Sequence, residues 1–291
     1  MQFWKVLSLG ALFFANLVLA EVYVNDSSLK LTGTISNDEF SKFKTKFESV
    51  LTRNDMGINE LHLFQLEDVK GGSLSEAIKI ADFVRSMRLR VNLAGECSSA
   101  CVLIYFASVE RRHDHGATLG VHRIRFANNG LKSLSLDDAT QSYQAGEKLL
   151  VSKLSEYGAP ESIIEKLKGT SSRDLTIIPI GEVPIFPPVV FEWLQDSCDQ
   201  YPLKHLKIGH HAFNALEQAF SQGIVSKDTP AMTITRMVEQ FGQEADPSFT
   251  FAGYGQAERC VSSKLYDEYS AKKKAYCQDN SLSCGSIFKR M

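Results

Sequence analysis

The stretch Gly95-Glu96-Cys97-Ser98-Ser99-Ala100-Cys101-Val102-Leu103-Ile104-Tyr105-Phe106 constrains this chain more than any other. Small residues come first. A continuous apolar run follows, long enough for a buried helix. Ser99 therefore stands where a strand-like segment turns into a helix. The first turn of a helix leaves backbone N–H groups unpaired and carries partial positive charge. A nucleophile and the oxyanion it creates are both favoured in such a place. Upstream, Lys70-Gly71-Gly72-Ser73 follows an apolar run. Downstream, Gly120-Val121-His122 sets a histidine in an apolar, strand-like segment.

The order of elements around these pieces is strand, helix, strand. Val22–Val24 and Leu29–Ile35 alternate and read as strands, and Ser36-Asn37-Asp38-Glu39 reads as a helix cap. Phe40, Phe43, Phe47 and Leu51 then recur at helical spacing. Leu61–Leu66 is a strand carrying His62, and Glu67–Gly72 is a turn. Ser73 caps a helix over Leu74–Met87, and Leu89–Ala94 is a short strand leading to Ser99. This repetition predicts parallel pairing through crossover helices. A Gly-Gly turn between strand and helix can aim a backbone amide at a ligand, and the phosphate-loop pattern is absent.

Glu110–Gly116 reads as a polar connection, with His113 and His115 in a solvated turn rather than as a metal pair. Thr118–Ile124 is the strand that carries His122. Asp137–Tyr157 is a long helix, and a second runs to Lys168. Leu175–Ile180 returns as an edge strand because Pro179 cannot donate to a ladder.

The glycine pair, the serine at a helix start and the following histidine, in that order and spacing, resemble the ClpP/crotonase superfamily. Within it they look most like the bacterial periplasmic ClpP-like proteins. The resembling region runs from about Asp26 to Val183. The resemblance implies an α/β fold of repeated ββα units wound as a spiral. It implies Ser99 as nucleophile, His122 as base and Asp174, in Ser172-Arg173-Asp174-Leu175, as the acid that orients the base. The oxyanion hole would be made by the amides of Gly72 and Ala100. Ser-Pro usually precedes the two glycines in that family, whereas Val69-Lys70 stands here. The activity implied is that of a serine peptidase acting on a peptide or protein, with no cofactor and no metal, and the family allows a homo-oligomer. Two other classes carry the same features: a non-catalytic ClpP-like binding or assembly protein, and a crotonase-type acyl-thioester enzyme. Export disfavours the last.

Export is read from residues 1–20. Lys5 precedes the short apolar run Val6–Leu19, and Val18-Leu19-Ala20 suits cleavage, so the mature chain would start at Glu21 in the periplasm or outside the cell. Membrane contact would come only through an uncleaved leader. The six cysteines of the exported chain, an even number, then read as disulfides. Cys97 and Cys101 are close enough for a local bridge around Ser99, which would clamp the helix start. Cys198, Cys260, Cys277 and Cys284 would staple the C-terminal part. A net charge of −2 with no strong basic patch argues against nucleic acid as a partner.

By the same resemblance, residues 21–185 would form the ClpP/crotonase-like domain. Ile185-Phe186-Pro187-Pro188 marks a boundary. Residues 186–291 are a mainly helical, cysteine-containing extension with helices near Phe213–Gln222, Thr233–Gly242 and Ser262–Tyr276. Lys272-Lys273-Lys274 reads as a solvated face.

Overall fold

The first two strands, β1 (Glu21–Asn25) and β2 (Ser28–Ile35), pair antiparallel, with Val22 opposite Leu31. Here and below the structure is a computed structural model that describes residues 21–25, 28–52, 63–114, 116–125, 135–201, 203–226 and 228–284. The leader expected at 1–20, and His62 and His115, lie outside the described residues.

Helix α1 (Glu39–Leu51) buries Phe43, Phe47, Val50 and Leu51, the face its spacing predicts. Its start is closed by two carboxylates. Glu39 accepts from the Ser36 hydroxyl at 2.5 Å and from the Ser36 N–H at 3.3 Å. Glu76, from the next helix, accepts from the Phe40 N–H at 2.9 Å and satisfies an amide with no partner in its own helix.

Strands β3 (Leu63–Gly72) and β4 (Arg90–Ser98) flank helix α2 (Leu74–Ser86). Both pairings, β2 with β3 and β3 with β4, are parallel, and Leu66 lies between Leu31 and Leu93. The connections that parallel strands require are the two helices. Both strands run further than the sequence predicts. The expected turn over Glu67–Gly72 is strand, and the short strand Leu89–Ala94 extends to Ser98. Asp68 explains both corrections. It sits at φ 51°, the register shifts between Glu67 and Val69, and its carboxylate accepts the Glu96 N–H at 3.0 Å. The ladder absorbs a bulge instead of ending, and Val69 still faces Cys97.

Helix α3 (Cys101–Ala107) is buried along its whole length, as its unbroken apolar run demands. The polar connection expected after it is instead strand β5 (Arg111–His113), parallel to β4, with His113 half-buried opposite Leu93. Buried charge pairing holds this polar segment inside, which composition alone does not reveal. Strand β6 (Thr118–Val121) pairs with β4 in parallel, and β7 (Thr176–Ile178) pairs antiparallel with β6. The sheet order is β1-β2-β3-β4-β6-β7, with β5 also on β4. Between β6 and β7 stand α4 (Leu136–Glu156), capped by the Ser135 hydroxyl on the Asp138 N–H, and α5 (Glu161–Gly169).

The Pro187-Pro188 boundary is the start of a helix the sequence reading missed, α6 (Pro188–Ser197), with proline in its first turn. Helices α7 (Lys204–Ser221), α8 (Ala231–Ala245) and α9 (Phe251–Asp279) are all longer than their apolar spacing predicts. Helix α9 ties the extension to the sheet domain. Its Ala257, Val261 and Leu265 share a core with Val190 and Leu194 of α6. Further along, Tyr269 and Cys277 enter the core of the α/β part. The Tyr276 ring meets Phe47 and Phe83 edge-on, and its hydroxyl donates to Glu48 at 2.6 Å. Of the lysine trio, Lys272 and Lys274 are exposed and Lys273 is half-buried. The fold is mixed α/β, with one seven-stranded sheet and a mainly helical C-terminal part.

Arg111 is fully buried and, among the described residues, has no salt bridge to a carboxylate. Its guanidinium donates to the carbonyls of Phe106, Tyr157 and Pro184 at 2.7–2.9 Å and stacks on the Phe106 ring at 4.7 Å. Phe106 and Tyr157 close helices α3 and α4, so the cation sits at two negative helix ends. Burial nevertheless pulls its pKa down to about 9.

Candidate active site

Three strand ends build the site. Past the Val69–Cys97 pair, β3 delivers Gly71 and Gly72 beside the turn from β4 into α3. Gly71 has φ 79°, and a Cβ there would stand 2.5 Å from Ser99 Cβ and 3.0 Å from the Ala100 nitrogen. Gly72 has φ 128° and lies against Ile35, where a Cβ would meet the Ile35 oxygen at 2.1 Å. Only glycine fits either place. Replacing Gly71 by alanine is expected to push the turn off Ser99 and to cost about 1–3 kcal/mol in strain. Chemical denaturation together with labelling of Ser99 would measure both losses; unchanged values in both would refute the contact.

Ser99 itself is at φ 59°, the left-handed region, which costs a side-chain-bearing residue roughly 1–2 kcal/mol. The turn is fixed from two sides. Its N–H donates to the Gly120 oxygen at 3.0 Å, and its carbonyl accepts the Val102 N–H at 3.1 Å. The backbone reversal leaves Ser99 half-buried, while Ser98 and Ala100 on either side are buried. Cys97 and Cys101 are joined by a disulfide that spans the turn, with Cα atoms 5.5 Å apart. The local bridge expected from their spacing is present.

His122 follows β6 by one residue instead of lying within a strand reaching Ile124. The chain turns there because the Arg123 N–H goes to the Thr170 oxygen at 3.2 Å. The pairing of Ser98 with Gly120 brings His122 to the same end of the sheet as Ser99. Its Nδ1 lies 2.6 Å from the carbonyl oxygen of Arg123, so a proton on Nδ1 leaves Nε2 free to accept. Among the described residues Ser99 Oγ has no hydrogen-bond partner, His122 included. Asp174 lies in the exposed loop before β7, its N–H on the Ser171 oxygen, and its carboxylate makes no hydrogen bond or ion pair among the described residues. The structure thus brings Gly71, Ser99, Ala100, Cys97 and Cys101 together and His122 to the same sheet end, while Asp174 stands in the loop just before Thr176, which pairs with Val121 beside His122. Gly71 and the Arg123 carbonyl were missed. The Gly-Gly pair could have signalled the first; a backbone carbonyl has no sequence signature.

Three residues elsewhere could hold a metal ion. Glu110, His210 and Glu258 present donor atoms within 4.8 Å of one another. Arg90 and Arg112 already pair with both carboxylates, so a dication would unbalance a neutral set. The other cysteines are bridged as Cys198–Cys260 and Cys277–Cys284, and none of the six is free. Three disulfides fit an oxidising compartment. Among the described residues no helix is long and apolar enough to cross a membrane.

No protein-family model matches this chain, and no curated protein does. Solved structures do match. A mutant of ClpP1 from Listeria monocytogenes aligns at 14% identity with a TM-score of 0.40, over 54% of this chain and 85% of that one.

Proposed function

We propose that the chain is an exported ClpP-like serine hydrolase, with a peptide or protein as substrate. The observation that supports this best is the Ser99 turn: a strained serine at a helix start, with Gly71 pressed against it and a histidine at the same strand end. Ser99 Oγ attacks the substrate carbonyl, and His122 Nε2 takes its proton. The hole is made by the amides of Ala100 and Gly72. Ser73, next to Gly72, donates to the Ile35 oxygen at 2.9 Å, which supports a Gly72 N–H on the side away from β2. The substrate binds as an extended strand at the sheet edge. The spiral of ββα units and a homo-oligomer belong to the same reading, as does a periplasmic or secreted location.

The carbonyl of Arg123 holds the His122 tautomer in place of a carboxylate. A substitution Asp174→Asn is therefore expected to lower the rate of Ser99 labelling by less than about tenfold. Where an aspartate does orient the histidine, its loss costs about 10⁴ in turnover. A loss of that size would restore Asp174 as the third member.

The test of the whole reading is labelling of the purified protein with a fluorophosphonate, with Ser99→Ala as control. Labelling that vanishes in the control supports an activated serine. Absence of labelling in a folded, oxidised sample supports the second reading, a ClpP-like binding or assembly protein. The lack of a Ser99–His122 hydrogen bond is what favours that alternative, although catalytic hydrogen bonds are often long before substrate binds.

A further inference from the structure

The Cys97–Cys101 bridge encloses Ser99 in the smallest disulfide loop of the chain, four residues apart in sequence. Cys97 belongs to the last turn of ladder in β4, paired with Val69 and Leu119 on its two sides. Cys101 is the first residue of α3. The bridge therefore joins the end of the central strand directly to the start of the buried helix, and Ser99 is the apex between them. Both cysteines are 0% exposed.

We propose that oxidation of Cys97 and Cys101 is the maturation step that makes Ser99 reactive, and that it acts once. The proposal rests on the reading of Ser99 as a nucleophile. Its physical basis is the left-handed backbone at Ser99. In a reduced chain two small apolar thiols still fill the core, so the domain folds. Nothing covalent then prevents the turn from relaxing to the backbone conformation that serine prefers. Relaxation withdraws the serine from the Gly71 cradle and the amide of Ala100. The bridge removes those relaxed conformers from the ensemble.

The single use follows from burial. Exchange requires a thiolate to reach a disulfide sulfur, and neither sulfur is reachable once α3 is docked. Oxidation accordingly precedes docking of α3. In that step one cysteine thiolate attacks the disulfide of a thiol oxidant and forms a mixed disulfide. The second thiolate displaces the oxidant, which leaves as a dithiol. Two electrons and two protons pass from the cysteine pair to the oxidant, and one Cys97–Cys101 bond forms. A chain that has not reached an oxidising compartment would thus carry a silent serine.

The test compares the oxidised wild type with Cys97→Ala/Cys101→Ala and Cys97→Val/Cys101→Ala, the second refilling part of the lost volume. Two readouts are taken: the rate of fluorophosphonate labelling, and hydrogen exchange at the amides of residues 97–103. The expected result is labelling slower by roughly 10–100-fold, the population cost of freeing one strained residue, with faster exchange confined to that segment. A third measurement needs no variant: thiol reductant added to folded wild type is expected to leave labelling and the Cys97–Cys101 bond intact. Wild-type labelling rate and wild-type exchange in either folded variant would overturn the proposal, as would loss of the bond in the folded state. If the wild type itself does not label, the nucleophile reading fails, and the maturation step proposed for it falls with it. Exchange then reports separately whether the bridge clamps the turn.

Discussion

Replacing His122 by alanine is expected to slow fluorophosphonate labelling of Ser99 by about 10²–10⁴-fold, the span that a positioned base contributes. The proton on a serine hydroxyl does not leave by itself at neutral pH, so the turn alone cannot make Ser99 nucleophilic. In the proposed mechanism the amides of Gly72 and Ala100 would stabilise charge only after attack has begun. The proposed mechanism therefore needs a base, and His122 is the histidine that the Ser98–Gly120 pairing carries to this end of the sheet. Its Nδ1 is engaged with the Arg123 oxygen, which directs the lone pair to Nε2. The half-buried position of His122 means that alanine opens space without removing a core residue. The fold should therefore survive, and unchanged denaturation would confirm it. Labelling of His122→Ala at the wild-type rate would remove histidine from the mechanism. The same variant separates chemistry from shape: a binding protein would keep its ligand affinity.

The parts of this site that were legible in sequence share one property: they are set by local pattern. The apolar run Val102–Phe106 needs burial, the small residues before it need a turn, and two adjacent glycines need unusual backbone angles. The parts that were not legible depend on what comes from far along the chain. The extension of β3 through Gly72 is decided by Asp68 reaching the Glu96 amide on the neighbouring strand. Glu110 and Arg111 look like a solvated connection because a charge does not announce its partner. Glu110 meets Arg90 and Arg112, and Arg111 meets three carbonyls, the farthest 73 positions away from it in sequence. The proline pair at 187–188 reads as a break, yet proline also opens helices, and only packing of Val190 and Leu194 on α9 decides. Cys198 pairs with Cys260 for the same reason: the helices must dock first.

The same hidden charges yield the second large effect. Glu110→Ala is expected to destabilise the protein by about 3–5 kcal/mol, the usual cost of breaking a buried ion pair from one side. Glu110 is 0% exposed, and its carboxylate pairs with Arg90 and, at 2.7 Å, with Arg112. Arg112 also reaches Glu258 of α9 at 2.5 Å, so the network spans from β4 to the helical extension. Removing Glu110 strands Arg90, itself buried, without its nearest counter-charge. Replacing Glu110, Arg90, Arg112 and Glu258 together by apolar residues of similar size is expected to cost far less, because no charge of the network is then left behind. Acidity adds a sign that a packing defect would not show. Burial pushes the Glu110 pKa up, but the charges of Arg90 and Arg112 outweigh it and hold it at about 2. An unfolded glutamate titrates near about 4.3. The stabilisation from Glu110 is thus complete above about pH 4.3 and is lost as pH falls through about 2. Urea midpoints measured from neutral pH down to that range should fall more steeply in the wild type than in the quadruple apolar variant. Equal slopes, or a Glu110→Ala variant as stable as the wild type, would mean that the network does not hold α9 to the sheet domain.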